Sequence, residues 1–315
     1  MTALPTFSDI EKAHDRIRPY IHRTPVLSSQ SINQIVGAEL FFKCENLQKV
    51  GAFKFRGACN SVFSLSDEEA KHGVCTHSSG NHAAALALAA RMRGISAYIV
   101  MPENAPEIKK IAVAGYGAQI TFCEPTLAAR ESTLKRVAEE TGATEIHPYN
   151  YFNVICGQGT AAKELIEEIG MLDIVMTPVG GGGLLSGTAL SAKALLPGTK
   201  VIAAEPAGAD DAFRSFYSGT LQPSVAPKTI ADGLLTSLGS LTFPIILNEV
   251  DQIVTVSEES IVAAMRMIWE RMKIIIEPSS AVPLAAILEN KVDVKGKKIG
   301  IILSGGNVDL GRLPF

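Results

Sequence analysis

The chain has 315 residues, 47% of them hydrophobic, and its 29 basic and 32 acidic side chains leave a net charge of -3. This length supports a large buried core and exceeds the size at which a single core commonly divides, so we expect one or two globular domains. Because the charges nearly balance, no broad positive field is available to attract nucleic acid or an anionic membrane, and neither is expected as a partner.

The sequence also argues against secretion and membrane insertion. Its apolar stretches are short and interrupted, and its first residues lack both the basic end and the apolar run of a secretion signal. The cysteines are scattered without a close pair, which suits neither a zinc site nor a disulfide framework, so we expect reduced, mostly buried thiols in a cytoplasmic protein. They are Cys44, Cys59, Cys75, Cys123 and Cys156.

Short β-rich apolar runs alternate along the chain with longer segments of helical period. This pattern is typical of parallel strands joined by crossover helices, and it predicts an α/β fold. The predicted strands are 40–44, 73–77, 97–101, 119–123, 174–179, 201–204 and 299–303. The predicted helices include 81–93, 128–140, 159–168 and 260–272.

Two helix starts carry capping signals. Ser8 precedes Glu11 by three residues, which predicts a capping box, and Ser257 precedes two glutamates. No repeat or long linker divides the chain. A second domain would therefore form where the chain leaves one sheet and returns to it, and the segment HPYNYFN near residue 150 is the best candidate for the return.

The first chemically informative segment is GAFKFRGA, in which Lys54 lies between Phe53 and Phe55 at the start of a predicted helix. A lysine removed from water loses its proton more readily, as a Schiff-base lysine requires. A solvent-facing lysine is the ordinary alternative, and the flanking aromatic residues favour burial only weakly.

The next segment contains Ser78, Ser79, Gly80, Asn81 and His82, between a predicted strand and an Ala-rich helix. Small hydroxyls and free N–H groups at a helix N-terminus suit a carboxylate, such as that of an amino acid. A simple Ser or Asn N-cap explains the same pattern equally well. His82 by itself is more often a core histidine than a catalyst.

A run of four glycines follows the predicted strand DIVMTPV and precedes a helix. Without side chains the backbone N–H groups can converge, and the helix end adds partial positive charge, so the loop predicts a phosphate site; a tight turn is the alternative. It matches neither the P-loop nor the dinucleotide fingerprint. The glycines are Gly180, Gly181, Gly182 and Gly183.

A final segment, beginning at Ser304, closes the last predicted strand. All four segments lie at strand ends or helix starts. Because ligands collect at the carboxyl ends of strands in open parallel sheets, this shared position indicates a single site.

Taken in order, GAFKFRGA, SSGNHA, GGGGLLSG, EPSSA and LSGGNVD resemble the motifs of fold-type II pyridoxal-phosphate enzymes, and they are most similar to the serine racemase and serine/threonine dehydratase group. The likeness covers almost the whole chain. It implies a tryptophan synthase β-like fold with two open parallel-sheet domains and a homodimer. Residues 1–72 and 151–315 would form the large cofactor-binding domain, and residues 73–150 a small mobile domain that closes over the substrate.

The resemblance also implies roles in binding pyridoxal phosphate. It assigns Lys54 the imine with the cofactor, places Phe53 beside the ring and pairs Asn81 with the phenolic oxygen. The four glycines would hold the phosphate, and Ser304 would meet the pyridine nitrogen. Because a hydroxyl does not force a protonated pyridinium, the ring would be a mild electron sink suited to elimination or racemisation.

The implied activity is racemisation of serine together with dehydration of L-serine and L-threonine. Lys54, released by the substrate amine, would remove the α-proton from one face of the external aldimine, and Ser79 would lie on the other face. A proton returned by Ser79 inverts the configuration, whereas loss of the β-hydroxyl leads to a keto acid and ammonia. The implied substrate contacts are Ser78, Ser79, Asn81, His82 and Arg130.

Arg130 raises an alternative within the same chemistry. It matches an arginine of the mobile domain in serine racemases and could hold a second carboxylate bidentately, which would favour a 3-hydroxyaspartate ammonia-lyase; equally, it could be one charge on an exposed helix. A catalytically inactive cofactor-binding protein is less favoured because Lys54 and Ser79 are both present. Cysteine synthase is less favoured because the motifs follow the dehydratase group.

The resemblance extends to a divalent-cation site formed by Glu205, Asp211 and the carbonyl of Ala209. Such oxygen ligands suit Mg²⁺, Ca²⁺ or Mn²⁺ rather than zinc, although spacing alone favours acidic residues on a solvated loop. For activation by ATP, Lys49 is the nearest matching contact. Ala52 counts against that activation, because threonine dehydratases often carry serine there. No C-terminal regulatory domain, and hence no control by isoleucine, is expected.

Overall fold

The computed structural model describes residues 3–105 and 107–315. This part of the chain forms ten strands: β1 (Val26–Leu27), β2 (Glu39–Cys44), β3 (Val74–His77), β4 (Ala97–Pro102), β5 (Gln119–Cys123), β6 (Thr144–Glu145), β7 (Ile174–Pro178), β8 (Lys200–Pro206), β9 (Gln252–Val256) and β10 (Lys298–Leu303). Its α-helices are α1 (Phe7–Ile17), α2 (Gln30–Val36), α3 (Lys54–Ser64), α4 (Asp67–Lys71), α5 (Asn81–Arg93), α6 (Glu107–Gly115), α7 (Leu127–Thr141), α8 (Phe152–Ile169), α9 (Gly183–Leu195), α10 (Asp211–Ser218), α11 (Thr242–Glu249), α12 (Glu258–Met272) and α13 (Pro278–Leu288). Short 3-10 helices span Glu45–Leu47, Lys49–Gly51 and Asp232–Leu234.

The strands form two separate sheets. The larger has the order β1-β2-β10-β7-β8-β9, and all of its pairs are parallel except β1 with β2. The smaller has the order β5-β4-β3-β6 and is entirely parallel. Helices connect successive parallel strands, so the predicted α/β fold with two parallel sheets is confirmed.

All seven predicted strands are present, and the three that the sequence analysis missed lie at sheet edges. β1 and β9 are the two edges of the larger sheet, and β6 is one edge of the smaller sheet. In β9 the apolar run is short: Ile253 and Val254 are followed by Thr255. β1 and β6 are also only two residues long.

Two predicted helix starts need correction. α1 is capped by Thr6, whose backbone N–H donates to the Asp9 carboxylate at 3.1 Å, so the capping box predicted at Ser8 is wrong. α8 begins at Phe152, seven residues earlier than predicted, and continues through its glycines. A Cβ at Gly157 would come within 2.5 Å of a carbonyl oxygen of α3, so this glycine serves close helix packing rather than a helix end. The cap predicted at Ser257 is confirmed, because its side chain accepts the Ser260 N–H.

The larger sheet has an apolar core on each face, and the smaller sheet has its own. All four strands of the smaller sheet fall within residues 73–150, but its core also includes Ile17, Phe55 and Val154 from α1, α3 and α8. α3 therefore connects the two sheets through packing, and the domain boundaries stay a prediction. The five cysteines are free and buried, as predicted. None of the helices described above combines the length and the apolar character needed to cross a membrane.

Candidate active site

The segments around Lys54 and Ser304 lie side by side although they are far apart in sequence. The Phe53 N–H donates to the Ser304 carbonyl at 3.0 Å, and Ala52 forms an isolated antiparallel bridge with Gly305. α3 begins at the next residue, Lys54. The helix start that carries Lys54 is therefore fixed to the carboxyl end of β10.

The Lys54 amine is half-buried beside the loop that follows β6. Its Nζ donates to the Pro148 carbonyl at 2.9 Å and lies 5.1 Å from the centroid of the Phe53 ring. Burial lowers the pKa of Lys54 to about 8, and the nearby Glu277 carboxylate opposes this shift. A substantial fraction of the amine is thus unprotonated at neutral to mildly basic pH, which suits imine formation and proton abstraction.

The loop between β3 and α5 presents Ser78, Ser79 and Gly80, and α5 begins at Asn81. Gly80 is the N-cap and has no side chain with which to cap the helix. The serines are therefore not the N-cap, contrary to the simpler interpretation of this segment. The N–H groups of the first turn of a 13-residue helix have no partner within the helix, so they suit a carboxylate.

His82 turns its side chain into the core. It is 2% exposed, and its Nε2 lies 3.1 Å from the Ile146 carbonyl. Burial, together with the Lys54 charge, lowers the pKa of His82 to about 3, so the ring is neutral. His82 was predicted to contact the substrate. Its side chain lies in the core, and only its backbone N–H, in the first turn of α5, lies at the candidate site.

The glycine loop joins β7 to α9 and is buried. Gly182 has φ +85°, and α9 begins at Gly183. A Cβ on Gly181 would come within 2.3 Å of the Tyr149 ring, and one on Gly180 within 3.0 Å of the Leu234 Cα. The close approach and the left-handed backbone require glycine, and the loop ends at a helix N-terminus. This cradle fits a phosphate group. No pattern in the sequence predicted that Tyr149 would pack against this loop.

Ser304 lies at the end of β10 and is 2% exposed. Its hydroxyl is 3.0 Å from the Ser280 hydroxyl, which also accepts the Gly305 N–H at 2.7 Å. Ser280 belongs to α13, so the first turn of this helix supports Ser304. In the sequence, the EPSSA segment is recognisable only as a family motif, and nothing in it singles out Ser280.

Glu277, the residue before α13, is a second buried group at the site that the sequence analysis did not assign. Asn81 Nδ2 donates to both of its carboxylate oxygens at 3.1 Å, and the Asn307 N–H donates at 3.2 Å. Burial, with the Asp232 charge, raises the pKa of Glu277 to about 7. An acidic residue in the apolar segment IIIEPSSAVPL is the signal that could have identified it.

Arg130 lies in the first turn of α7, where its Nε donates to the Thr126 carbonyl at 3.4 Å. Glu131, the next residue of α7, lines the same cleft as His77, and burial and then the Arg130 charge lower the pKa of that histidine. His77 directly precedes Ser78 and, with His147, lines a cleft of about 560 Å³. Arg130 is therefore near the β3–α5 loop rather than on a remote surface.

The three predicted cation ligands lie together where β8 leads into α10. Glu205 accepts the Ala212 and Phe213 N–H groups at 3.0 and 2.8 Å. Asp211 is 1% exposed, yet neither carboxylate oxygen has a hydrogen-bond partner within the described residues. Burial raises the pKa of Glu205 to about 8 and that of Asp211 to about 6. The buried Asp211 carboxylate without a hydrogen-bond partner, close in the chain to the buried Glu205 carboxylate, fits an oxygen-liganded cation such as Mg²⁺.

No group of three or more His, Cys, Asp or Glu side chains in the described parts of the chain is arranged for a metal. The Glu205–Asp211 set has only two such side chains, and a backbone carbonyl would complete it. Spacing alone favoured acidic residues on a solvated loop. Both carboxylates are buried, so that alternative is wrong.

A family model for pyridoxal-phosphate dependent enzymes matches residues 17–305. The chain belongs to this family of enzymes. Among its curated relatives, the serine racemase of Dictyostelium discoideum is 56% identical over 315 residues, covering 99% of this chain and 97% of the relative. The β-hydroxyaspartate dehydratase of Paracoccus denitrificans is 54% identical over 312 residues, covering 99% of each. The solved structure of maize serine racemase is similar with a TM-score of 0.96 and 50% identity, covering 98% of this chain and 95% of that one.

Proposed function

We propose that this protein is a pyridoxal-phosphate-dependent serine racemase that also converts L-serine and L-threonine to keto acids and ammonia. The observation that carries the proposal is the Lys54 amine, whose pKa burial lowers to about 8. This amine lies where the segments around Lys54 and Ser304 meet. The chain is similar over 99% of its length to a serine racemase.

The residues present fit the cofactor. Residues 180–183 and the N-terminus of α9 would hold the phosphate, Phe53 would lie beside the ring, and Lys54 would carry the covalent link. Asn81 would meet the phenolic oxygen and Ser304 the pyridine nitrogen. When bound, pyridoxal phosphate delocalises the charge left on the substrate α-carbon after its proton is removed.

The protein side chains supply the acid and the base. The N–H groups of the β3–α5 loop orient the substrate carboxylate, and Lys54 Nζ takes the α-proton from one face. Ser79 Oγ returns a proton to the opposite face, which inverts the configuration. When the β-hydroxyl leaves as water instead, later hydrolysis releases a keto acid and ammonia, so one proton abstraction serves both activities.

The experiment is a chiral product assay with L-serine, L-threonine and the 3-hydroxyaspartate isomers, measuring D-amino acid and keto acid together. Lys54→Ala should abolish both products and the borohydride-stable attachment of the cofactor at position 54. Ser79→Ala should lose racemisation more than elimination, whereas Ser78→Ala, which removes the neighbouring hydroxyl, should change both in parallel. Equal retention of both activities in Ser79→Ala would contradict the role of Ser79.

A 3-hydroxyaspartate ammonia-lyase is the second candidate, and the position of Arg130 near the β3–α5 loop favours it. The similarity to the Paracoccus dehydratase adds support. Arg130→Ala should then raise the KM for hydroxyaspartate and leave the KM for serine unchanged. Arg136→Ala, an exposed residue of the same helix, is the matched control. Turnover of hydroxyaspartate alone would overturn the racemase proposal.

We further infer that Mg²⁺, or Ca²⁺ or Mn²⁺ in its place, binds Glu205, Asp211 and the Ala209 carbonyl. The buried carboxylate oxygens of Asp211 support this site. Its place next to α10 suggests a structural ion, which would offset the cost of burying two carboxylates.

We also propose an assembly and a cellular setting. A cytoplasmic location is supported by five free, buried thiols. The homodimer, closure of residues 73–150 over the substrate and activation by ATP through Lys49 rest on family resemblance. Sedimentation with and without ATP and Mg²⁺ tests the dimer and its response to both ligands.

A further inference from the structure

Glu277 is a buried titratable group at the candidate active site that the proposed proton transfers do not use. It is 4% exposed and lies at the start of α13, in contact with residues from two other segments. We propose that Glu277 is a positioning residue: it fixes the orientation of the Asn81 side-chain amide and so keeps an N–H donor directed at the cofactor's phenolic oxygen.

The hydrogen bonds allow only one orientation of the Asn81 amide. Its Nδ2 lies 3.1 Å from both carboxylate oxygens of Glu277, and its Oδ1 accepts from Asn307 Nδ2 at 2.9 Å. An ionised carboxylate only accepts, and an amide NH₂ only donates. An amide turned by 180° would place oxygen against oxygen and nitrogen against nitrogen, so the rotated state is excluded on both sides while Glu277 is ionised.

The carboxylate and Asn307 are themselves held in place. Asn307 donates from its backbone N–H to Glu277 at 3.2 Å and from Nδ2 to the Val50 carbonyl at 2.8 Å. A Cβ on Gly305 would come within 2.7 Å of the Glu277 carboxylate, and one on Gly51 within 2.7 Å of Asn307 Oδ1. Because these contacts are made by the protein alone, the orientation is set before a ligand binds.

Asn81 keeps a donor for that ligand. Its Nδ2 carries two hydrogens, and Glu277 is the acceptor that engages this nitrogen from one side. The second hydrogen is left for an oxygen of the bound cofactor. Had the amide been free to rotate, an acceptor would face the phenolic oxygen part of the time and repel it.

The orientation depends on Glu277 being ionised. Burial and the Asp232 charge raise its pKa to about 7, while Lys109 on α6 acts in the opposite direction, and Lys54 on α3 interacts with it. A protonated carboxyl could donate as well as accept, and it would then tolerate either amide orientation.

The test compares Glu277→Gln, Asn81→Ala and the double variant, and it rests on the proposed contact between Asn81 and the cofactor. Two quantities are measured without substrate: the absorption spectrum of bound pyridoxal phosphate and its Kd. Each single variant should shift the absorption maximum and weaken binding about tenfold, the effect of one lost charge-assisted or oriented hydrogen bond. The double variant should be no weaker than Asn81→Ala, because Glu277 acts through Asn81.

Glu289→Gln is the matched control, since it changes the same residue type at the other end of α13; its spectrum and Kd should stay those of the wild type. Asn307→Asp is a second test that leaves Glu277 intact. It places an acceptor against Asn81 Oδ1 and should produce the same spectral shift. Circular dichroism of the cofactor-free variants checks folding.

Three results would overturn the inference, and they are distinguishable. A wild-type spectrum and Kd in Glu277→Gln, with a shift in Asn81→Ala, would leave the cofactor contact in place and remove Glu277 from it. A wild-type spectrum in Asn81→Ala would remove the contact itself, and with it part of the proposed cofactor site. Additive losses in the double variant would show that Glu277 acts independently of Asn81.

Discussion

A buried ionic cluster centred on Arg56 lies next to the start of α3, the helix that begins at Lys54. The guanidinium donates to Glu45 at 2.7 and 2.8 Å and to Glu164 at 2.8 Å through each of two nitrogens. Lys43 Nζ donates to Glu164 at 2.8 Å. All four side chains are at most 2% exposed, and their formal charges sum to zero. The cluster joins β2, α3 and α8, the elements that position Lys54.

We predict that Arg56→Met strongly destabilises the protein. Methionine fills much of the space, but Glu45 and Glu164 lose their bidentate partner in a dry environment. Breaking a buried ion pair in this way costs about 3–5 kcal/mol, a large part of the total of about 5–15 kcal/mol typical of a domain. The free energy of unfolding at pH 7 should fall by this amount.

The loss should also depend on pH. Burial alone would raise the pKa of Glu164, but Arg56 and Lys43 outweigh it and hold the pKa at about 2. A carboxyl with a lowered pKa in the folded state contributes stability above its ordinary pKa of 4.5, and this is lost as the pH falls toward the lowered value. The difference between wild type and Arg56→Met should therefore narrow between pH 5 and pH 3.

Urea unfolding followed by circular dichroism measures both effects. Arg136→Met is the matched control: its partner Glu140 is at 3.1 Å, but both side chains are more than half exposed, so it should cost about 0–1 kcal/mol. If Arg56→Met lowers the free energy of unfolding no more than Arg136→Met does, the cluster does not stabilise α3, the helix that begins at Lys54. Adding Glu45→Gln to Arg56→Met should recover part of the loss, because Glu164 keeps Lys43 as its partner and the uncompensated charge on Glu45 is then removed.

Three further predictions concern ligands. The rate at which cofactor-free protein takes up pyridoxal phosphate should rise with pH and level off above about 8, because the Lys54 amine must be unprotonated; a rate that keeps rising to pH 10 would indicate an unperturbed lysine. Mg²⁺ at about 100 times its Kd should add about 2.7 kcal/mol to the free energy of unfolding. Asp211→Asn should abolish that gain in stability, whereas Asp210→Asn should keep it. If both variants keep the gain, the ion binds elsewhere. Gly181→Ala should weaken cofactor binding at least about tenfold, since its Cβ would lie 2.3 Å from an aromatic ring. Gly198→Ala, whose Cβ meets open space, should leave cofactor binding unchanged. If Gly181→Ala and Gly198→Ala bind the cofactor with equal affinity, the glycine loop is not the phosphate site.

The amino-acid sequence by itself determined the α/β class, the central strands and the position of the Lys54, glycine and Ser304 segments at strand ends or helix starts. These features are local: an apolar run of five residues predicts a buried strand whatever it pairs with, and four glycines between a strand and a helix indicate a phosphate cradle. Since parallel strands place their carboxyl ends at one edge of a sheet, the proximity of Lys54, the glycine loop and Ser304 also followed from the order of the segments.

The tertiary structure alone decided how the side chains within those segments are used. Gly80 rather than a serine caps α5, and His82 turns into the core, because packing against the smaller sheet sets the rotation of the helix. The contact of Asn81 with Glu277 and Asn307 joins segments separated by about two hundred residues. No local pattern encodes such a pairing; it arises only when the loop after β3 of the smaller sheet packs against the loop after β10 of the larger sheet.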